Sequence, residues 1–169
     1  MDFEDVIRNR QSTRMFSDRK IETEKLDKIL EAGRIAPTAK NNQPLKIYVI
    51  NSEEGLKKLD NASRCRYNSP AVLLVCGNID QAFVKEDGHS SYEVDASICA
   101  THMMLEATNL GVDNIWVALF DEDILRNEFD IPKNIIPICL IPLGYKDENC
   151  MPSPRHNIRK NLSDIVEYK

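Results

Sequence analysis

Residues 71–76 read Ala71-Val72-Leu73-Leu74-Val75-Cys76, a continuous apolar run between Pro70 and Gly77. A strand exposed on one face alternates apolar and polar residues, whereas an unbroken apolar run of this length is typical of a strand covered on both faces. The run therefore predicts a central strand with helices on both sides of its sheet. We expect an α/β or α+β sandwich built around that sheet.

The segments around this strand predict alternating helices and strands. Residues 92–110 carry an apolar stripe at helical spacing, and Gly111 supplies a C-terminal stop. Residues 78–91 are polar and predict a mobile loop. Pro137 and Pro142 favour an edge or a strand end over a central position for the strand at 135–143, because proline cannot donate to a sheet. Two further strands are predicted, at 45–50 and 114–119. Four further helices are predicted: one at 2–9, one that starts from a cap at Thr23 and ends at Pro37, one that follows a cap at Ser52, and one at 121–129.

Length and charge narrow the class of protein. The chain has 169 residues, enough for one domain, and its 22 basic and 27 acidic residues give a formal net charge of −5. The acidic balance disfavours a nucleic-acid partner, whose footprint is usually a basic face. No apolar run is long enough to span a membrane, and the first 20 residues lack a signal-peptide core, so we expect a cytoplasmic protein. Neither G-x-G-x-x-G after a strand nor G-x-x-x-x-G-K-S/T occurs, which disfavours a dinucleotide fold or a P-loop.

The five cysteines and three histidines form no recognised metal or redox spacing. Cys76, Cys99 and Cys139 lie in apolar stretches and are interpreted as buried filler in a reduced protein. The alternative is a catalytic thiol, although no histidine stands nearby in the sequence. The histidines are His89, His102 and His156.

Three polar segments could carry chemistry. In the first, Arg8, Arg10 and Arg14 surround Ser12, and Arg10 and Arg14 would converge on one face if the turn stays helical. Guanidinium groups aimed at one point suit a phosphate or carboxylate, and the alternative is a solvated basic patch. The second is the loop at residues 37–44, which is either a ligand-facing loop or a plain turn. The third is the tail, whose cations Arg155, Arg159 and Lys160 either reach back to an anion or remain solvated.

The first two segments resemble motifs of one enzyme family. The run Arg10-Gln11-Ser12-Thr13-Arg14-Met15-Phe16 is similar to the R-x-S-x-R-x-F/Y opening of the flavin-dependent nitroreductases, and PTAKNNQP at 37–44 is similar to their P-S-x-x-N-x-Q-P segment. An apolar strand, a long helix ending in Leu-Gly, a strand with a Trp, a Gly-Tyr pair and a basic tail come next in the family's order. The resemblance covers essentially the whole chain.

The resemblance implies an architecture and a cofactor. The fold would be α+β, a nitroreductase-like three-layer sandwich with a central mixed sheet flanked by helices, in an intertwined homodimer. Residues 1–169 would form a single FMN-binding domain whose C-terminal tail, 146–169, reaches the partner subunit. FMN would bind at the dimer interface, and NADH or NADPH would donate electrons.

The resemblance also assigns cofactor contacts. Arg10 and Ser12 would contact the FMN phosphate and ribityl chain, and Arg14 would approach the N1/O2 edge of the flavin, where a cation stabilises the reduced ring. Thr38, Ala39 and Asn41 would line the flavin from the partner subunit, and Arg159, with Arg155 or Lys160, would close on the phosphate. Further contacts are implied for Gln11, Pro37, Gln43, Asn61, Arg64 and Ala118. No side-chain acid or base is implied, because the flavin carries the chemistry.

The sequence departs from the family pattern twice. Ala118 stands where many members have Gly in a W-x-G segment beside the flavin, so its Cβ would narrow the approach to the ring. Residues 77–92 are too few for the extra helical excursion that shapes the substrate pocket in larger members. The pocket would then be open or shaped by the partner.

These features predict an FMN-dependent NAD(P)H oxidoreductase that reduces small electron-poor acceptors, such as nitroaromatics or quinones, by a ping-pong hydride mechanism. An alternative is an FMN-binding carrier or redox sensor without reductase turnover. A non-catalytic interaction module of α/β type is the third hypothesis. Neither a nucleic acid nor a membrane is expected as a partner.

Overall fold

The computed structural model describes residues 1–169. Five helices and four strands alternate along the chain. The helices are α1 (Phe3–Asn9), α2 (Thr23–Arg34), α3 (Glu53–Ala62), α4 (Tyr92–Asn109) and α5 (Glu122–Glu128). The strands are β1 (Leu45–Ile50), β2 (Ala71–Asn78), β3 (Asp113–Asn114) and β4 (Ile135–Gly144). Short 3₁₀ turns lie at Ala39–Asn41, Pro154–Asn157 and Leu162–Asp164. No helix is both long and apolar enough to cross a membrane.

The four strands form one sheet in the order β1-β2-β4-β3. Every strand pair is antiparallel, with Leu45 opposite Gly77 in the β1–β2 pair and Ala71 opposite Leu143 in the β2–β4 pair. The mixed sheet that the resemblance implies is therefore limited to one isolated parallel bridge, between Ser12 and Asn114. That bridge attaches the N-terminal segment to the end of the sheet.

The strand at the centre of the sheet is buried on both faces, as its apolar run predicts. Residues 72–76 have no exposed surface. Leu73 and Val75 pack in one core with α2 and α4, whereas Leu74 and Cys76 pack in a second core with α3 and α5. Each fully buried Leu or Val contributes roughly 1.5–3 kcal/mol relative to an exposed one. The chain therefore folds as the predicted α+β three-layer sandwich.

Helix ends follow local signals, with one correction. The Ser52 hydroxyl accepts a hydrogen bond from the N–H of Gly55 at 3.1 Å and begins α3, as predicted. Gly111 has φ +71° just after α4, which only glycine adopts without strain. The prediction of Thr23 as a cap is wrong by one position, because Glu22 is the N-cap and Thr23 the first helical residue. That helix also ends at Arg34, before Pro37 is reached.

Two strand predictions need correction. The strand predicted at 114–119 is regular only in Asp113–Asn114, with one further bridge between Val117 and Leu140. Of the edge and strand-end positions predicted for the prolines, the edge is not found, because β2 pairs with one side of β4 and β3 with the other, whereas Pro142 lies near the C-terminal end of the strand. The carbonyl of Pro142 accepts the N–H of Ile115 at 3.3 Å on the β3 side. Proline is tolerated there because its missing N–H faces this short, irregular pairing and leaves the β2 ladder intact.

The cysteines occupy the core as filler. Cys76, Cys99 and Cys139 are fully buried, and Cys65 is nearly so. Burial raises the pKa of Cys76 to about 12 and that of Cys99 to about 11, and it raises the pKa of Cys139 further. All five thiols are unbridged. Buried thiols with raised pKa values are poor nucleophiles, which disfavours a catalytic role.

Candidate functional site: an arginine-lined cavity

The residues after α1 form an extended segment. The helix ends at Asn9, and two backbone hydrogen bonds hold the chain beyond it: Thr13 N–H donates to Asn114 O, and Phe16 N–H donates to Tyr67 O, both at 3.1 Å. A helical turn between Arg10 and Arg14, the condition for their expected convergence, does not form. In an extended segment alternate side chains share a face. Arg10, Ser12 and Arg14 therefore reach the same side, while Thr13 is buried on the other.

The start of the C-terminal tail is attached to this segment. Ser17 N–H donates to Tyr145 O at 2.8 Å, and Asp147 N–H donates to Met15 O at 3.1 Å. These two hydrogen bonds hold the segment that follows β4 antiparallel to residues 15–17. Residues 153–159 then pass over the face that carries Arg10 and Arg14, and a 3₁₀ turn capped by Ser153 presents Arg155.

The two segments enclose a cavity of about 200 Å³ with no apolar residue in its lining. None of its four arginines forms a salt bridge with a carboxylate. Arg14 donates to Ser12 O at 3.3 Å, and Arg159 donates to Ile158 O at 2.9 Å and to His156 O. Burial and, secondarily, repulsion from Arg159 lower the pKa of Arg10. The lining residues are Arg10, Ser12, Arg14, Ser153, Arg155, His156 and Arg159.

The cavity brings together residues from both ends of the chain that the sequence singles out. Lys160 and Gln11 do not line it, and Gln11 lies on a separate cavity beside Asp113 and Lys146. Ser153 and His156 were not predicted from the sequence. A serine directly before Pro154 is a signal for a capped turn that could have identified Ser153.

The loop at 37–44 has a strained backbone and defined internal bonds. Lys40, Asn41 and Gln43 have φ values of +51°, +55° and +52°. Gln43 N–H donates to the Thr38 hydroxyl at 3.0 Å, and the Gln43 amide donates to Asn41 O at 3.1 Å. The hydroxyl proton of Thr38 and the side-chain amide of Asn41 make no hydrogen bond within the chain. The half-buried Ala39 has its N–H bonded to Asp95, and Pro37 is exposed.

A third polar surface surrounds Ala118. The N–H and C=O of Val117 pair with Leu140 at 2.9 Å, whereas the N–H groups of Ala118 and Leu119 have no partner in the chain. Ala118 itself is exposed. A neighbouring cavity of about 360 Å³ includes Asn61, Arg64 and Leu119. The Asn61 amide donates to Glu128 at 2.8 Å, while the Arg64 guanidinium is exposed and unpaired.

The fold and these clusters define an α+β sandwich with an arginine-lined cavity between segments from the two ends of the chain. The model of the Nitroreductase family matches residues 7–75 and 66–145, and the chain belongs to that family.

Known relatives agree with this assignment. The crystal structure of a nitroreductase family protein from Clostridium difficile 630 matches with a TM-score of 0.94 at 42% identity, covering 100% of this chain and 99% of that one. A Methanothermobacter thermautotrophicus protein, provisionally named NADH dehydrogenase/NAD(P)H nitroreductase, is 32% identical over 88% of this chain and 80% of its own length. An Exiguobacterium sibiricum protein crystallised in complex with FMN shares the fold, with a TM-score of 0.86 at 23% identity over 100% of this chain and 98% of that one.

Proposed function

We propose that this protein is an FMN-dependent NAD(P)H oxidoreductase that reduces small electron-poor acceptors such as nitroaromatics or quinones. The observation that carries the proposal is the cavity with four arginines and no carboxylate. Guanidinium groups recognise phosphate through paired N–H donors, and Arg is preferred over Lys where such geometry matters. The FMN-bound protein of the same fold and the NAD(P)H in the name of the Methanothermobacter thermautotrophicus relative support the choice of ligand and donor.

The cavity fits the phosphate end of FMN. Arg10 and Arg159 come from opposite ends of the chain and repel one another, and after burial this repulsion is the second cause of the lowered pKa of Arg10. A phosphate bound between the two guanidinium groups would offset that repulsion. The Ser12 hydroxyl has no partner in the chain and lines the same cavity, so it is available as a further donor. In this proposal Arg155 and Arg159 close on the phosphate from the tail.

Other groups would hold the ring. Arg14 continues the face that carries Arg10 and places a positive charge beyond the phosphate site. The unpaired N–H groups of Ala118 and Leu119 are donors for a polar ring edge. FMN, when bound, would supply the hydride chemistry between NAD(P)H and the acceptor, in a ping-pong sequence. These residues would position the cofactor and favour its negatively charged reduced form.

A homodimer would complete the site. The arginine cavity, at about 200 Å³, is smaller than the roughly 300–1,000 Å³ usual for a cofactor site. The tail exposes apolar side chains that a partner could cover, with Ile158 71% and Tyr168 91% exposed. Val94 on α4 is 61% exposed as well. We propose that residues 146–169 reach the partner subunit and that its Thr38, Ala39 and Asn41 line the flavin.

The test is reduction of the purified protein loaded with FMN. Under anaerobic conditions NADH or NADPH should bleach the flavin band near about 450 nm, and a nitroaromatic or quinone should restore it. Bound flavin that stays oxidised with both donors would favour the carrier or sensor alternative. A protein that binds no FMN would contradict the proposed function.

A further inference from the structure

Asp95 is a buried carboxylate in the first turn of α4, only 2% exposed, and it lies outside the residues so far given a role. We infer that Asp95 is the positioning residue that fixes loop 37–44 in its flavin-facing shape. The inference rests on the proposed function, because the loop is the part of the site that one subunit would offer to its partner.

Each carboxylate oxygen of Asp95 accepts a hydrogen bond, and the two bonds lead to two different loops. Oδ1 accepts the backbone N–H of Ala39 at 2.8 Å. Oδ2 accepts the hydroxyl of Ser91 at 2.7 Å, and that hydroxyl in turn accepts the N–H of Phe83 at 3.2 Å. One carboxylate thus connects loop 37–44, the start of α4 and loop 78–91.

The loop needs such an anchor because its backbone is unfavourable by itself. Three non-glycine residues, Lys40, Asn41 and Gln43, adopt left-handed conformations within a span of four positions. L-residues adopt this region only when the surroundings impose it. The Ala39 N–H is the loop's only backbone bond to a side chain of the helical layer. A charge-assisted hydrogen bond of this kind is among the stronger ones available to a backbone N–H.

Two further contacts join loop 37–44 to loop 78–91. Asn42 donates through its amide to Gln81 O at 3.1 Å, and the Lys40 ammonium lies 4.3 Å from the centre of the Phe83 ring. Asp95 therefore determines where the loop presents its unused groups, the Thr38 hydroxyl and the Asn41 amide. Loss of the carboxylate would release both loops while leaving the arginine cavity unchanged.

The experiment compares Asp95→Ala and Asp95→Asn with the wild-type protein. Asn retains an acceptor for Ala39 but turns a donor towards Ser91, so it should rescue part of the loss. Ser52→Ala is the matched control, because it removes a helix cap at the opposite end of β1, away from both loops. Two quantities are measured: the FMN dissociation constant and hydrogen exchange of the peptides covering 37–44 and 78–91.

Asp95→Ala should weaken FMN binding by about tenfold or more and speed exchange in both loops, with core peptides of β2 unchanged. Asp95→Asn should lie between Asp95→Ala and wild type, and Ser52→Ala should match wild type in both loops. If Asp95→Ala does not fold, Asp95→Asn must by itself show weaker FMN binding and faster hydrogen exchange in both loops than the wild-type protein. The inference would be overturned if the Asp95 variants exchanged hydrogen and bound FMN as the wild-type protein does. It would also be overturned if Ser52→Ala changed both quantities as much as the Asp95 variants do. A wild-type protein that binds no FMN would instead contradict the proposed function, and exchange would still report whether Asp95 anchors the loop.

Discussion

Arg10, the residue after α1, and Arg159, in the C-terminal tail, line one cavity and repel each other, and this repulsion adds to burial in lowering the pKa of Arg10. No carboxylate of the chain offsets this repulsion. Two uncompensated cations held together by the fold cost free energy in the absence of an anion. In the proposed function, the phosphate of FMN would offset this repulsion.

Removing Arg10 should weaken FMN binding. A charge-assisted hydrogen bond contributes about 1.5–3 kcal/mol, so Arg10→Ala should raise the dissociation constant by roughly ten- to a hundredfold. Without FMN, the free energy of unfolding should be unchanged or higher, because the repulsion with Arg159 is relieved. Fluorescence titration with FMN and urea denaturation measure the two quantities.

Arg8→Ala is the control, since Arg8 is exposed and pairs with Glu4 at 2.6 Å outside the cavity. Riboflavin supplies a second control because it lacks the phosphate. Wild type and Arg10→Ala should bind riboflavin equally weakly. A loss of riboflavin affinity as large as that of FMN would place Arg10 away from the phosphate.

Gly77→Ala should destabilise the protein and displace the start of α4. A Cβ at this position would lie 2.8 Å from Cβ of Tyr92 and 3.1 Å from its carbonyl oxygen, neither of which is the end of a flexible chain. Such overpacking costs about 1–3 kcal/mol. Gly55→Ala is the matched change at a half-buried position of α3, where the nearest atoms are the ends of two side chains, the Ser52 hydroxyl at 3.0 Å and Ile50 Cγ2 at 3.2 Å. Its effect should stay within about 1 kcal/mol. Equal unfolding midpoints for the two variants would contradict the packing argument.

Glu22 should contribute to acid unfolding. Hydrogen bonds from the Tyr145 hydroxyl, then from its own backbone N–H, then from Arg19 stabilise its carboxylate and lower its pKa from 4.5 to about 2. A depressed pKa in the folded state means that the contribution to stability is present above pH 4.5 and is lost as the pH falls towards about 2. Glu22→Gln should therefore flatten the dependence of unfolding free energy on pH in that window. Glu24→Gln, at an exposed position without an ion pair, should not. The effect should shrink at high salt, because Glu22 is exposed.

The thiols should differ sharply in reactivity. Cys150 is partly exposed, whereas Cys76, Cys99 and Cys139 are buried with raised pKa values. At pH 8 a thiol reagent should modify Cys150 first and the three core cysteines only after unfolding, since the thiolate is the reactive form. Cys150→Ser should remove the rapid phase. Rapid modification of a core cysteine, with loss of activity, would revive the catalytic-thiol alternative.

Much of the fold was predictable because its signals are local. The apolar run at 71–76 predicts a strand buried on both faces, and Ser52 and Gly111 mark helix ends from their own chemistry. The regular strand predicted at 114–119 was wrong, and so was the edge alternative for β4, one of two positions predicted for its prolines. Both have a common reason. Pairing partners and sheet order depend on residues far apart in the sequence, and Pro142 is tolerated because of the irregular segment beside it.

The sequence by itself determined the three-layer arrangement, the reduced and buried cysteines, and the cationic segments at both ends of the chain, because periodicity and residue chemistry act over short distances. Only the tertiary structure decided that Arg10, Ser12 and Arg14 share a face through an extended segment rather than a helix. It selected Arg155 and Arg159, rather than Lys160, to line one cavity with them, and it alone placed Asp95 against Ala39. Such contacts depend on the path of the whole chain through space, which the spacing of residues in one segment does not specify.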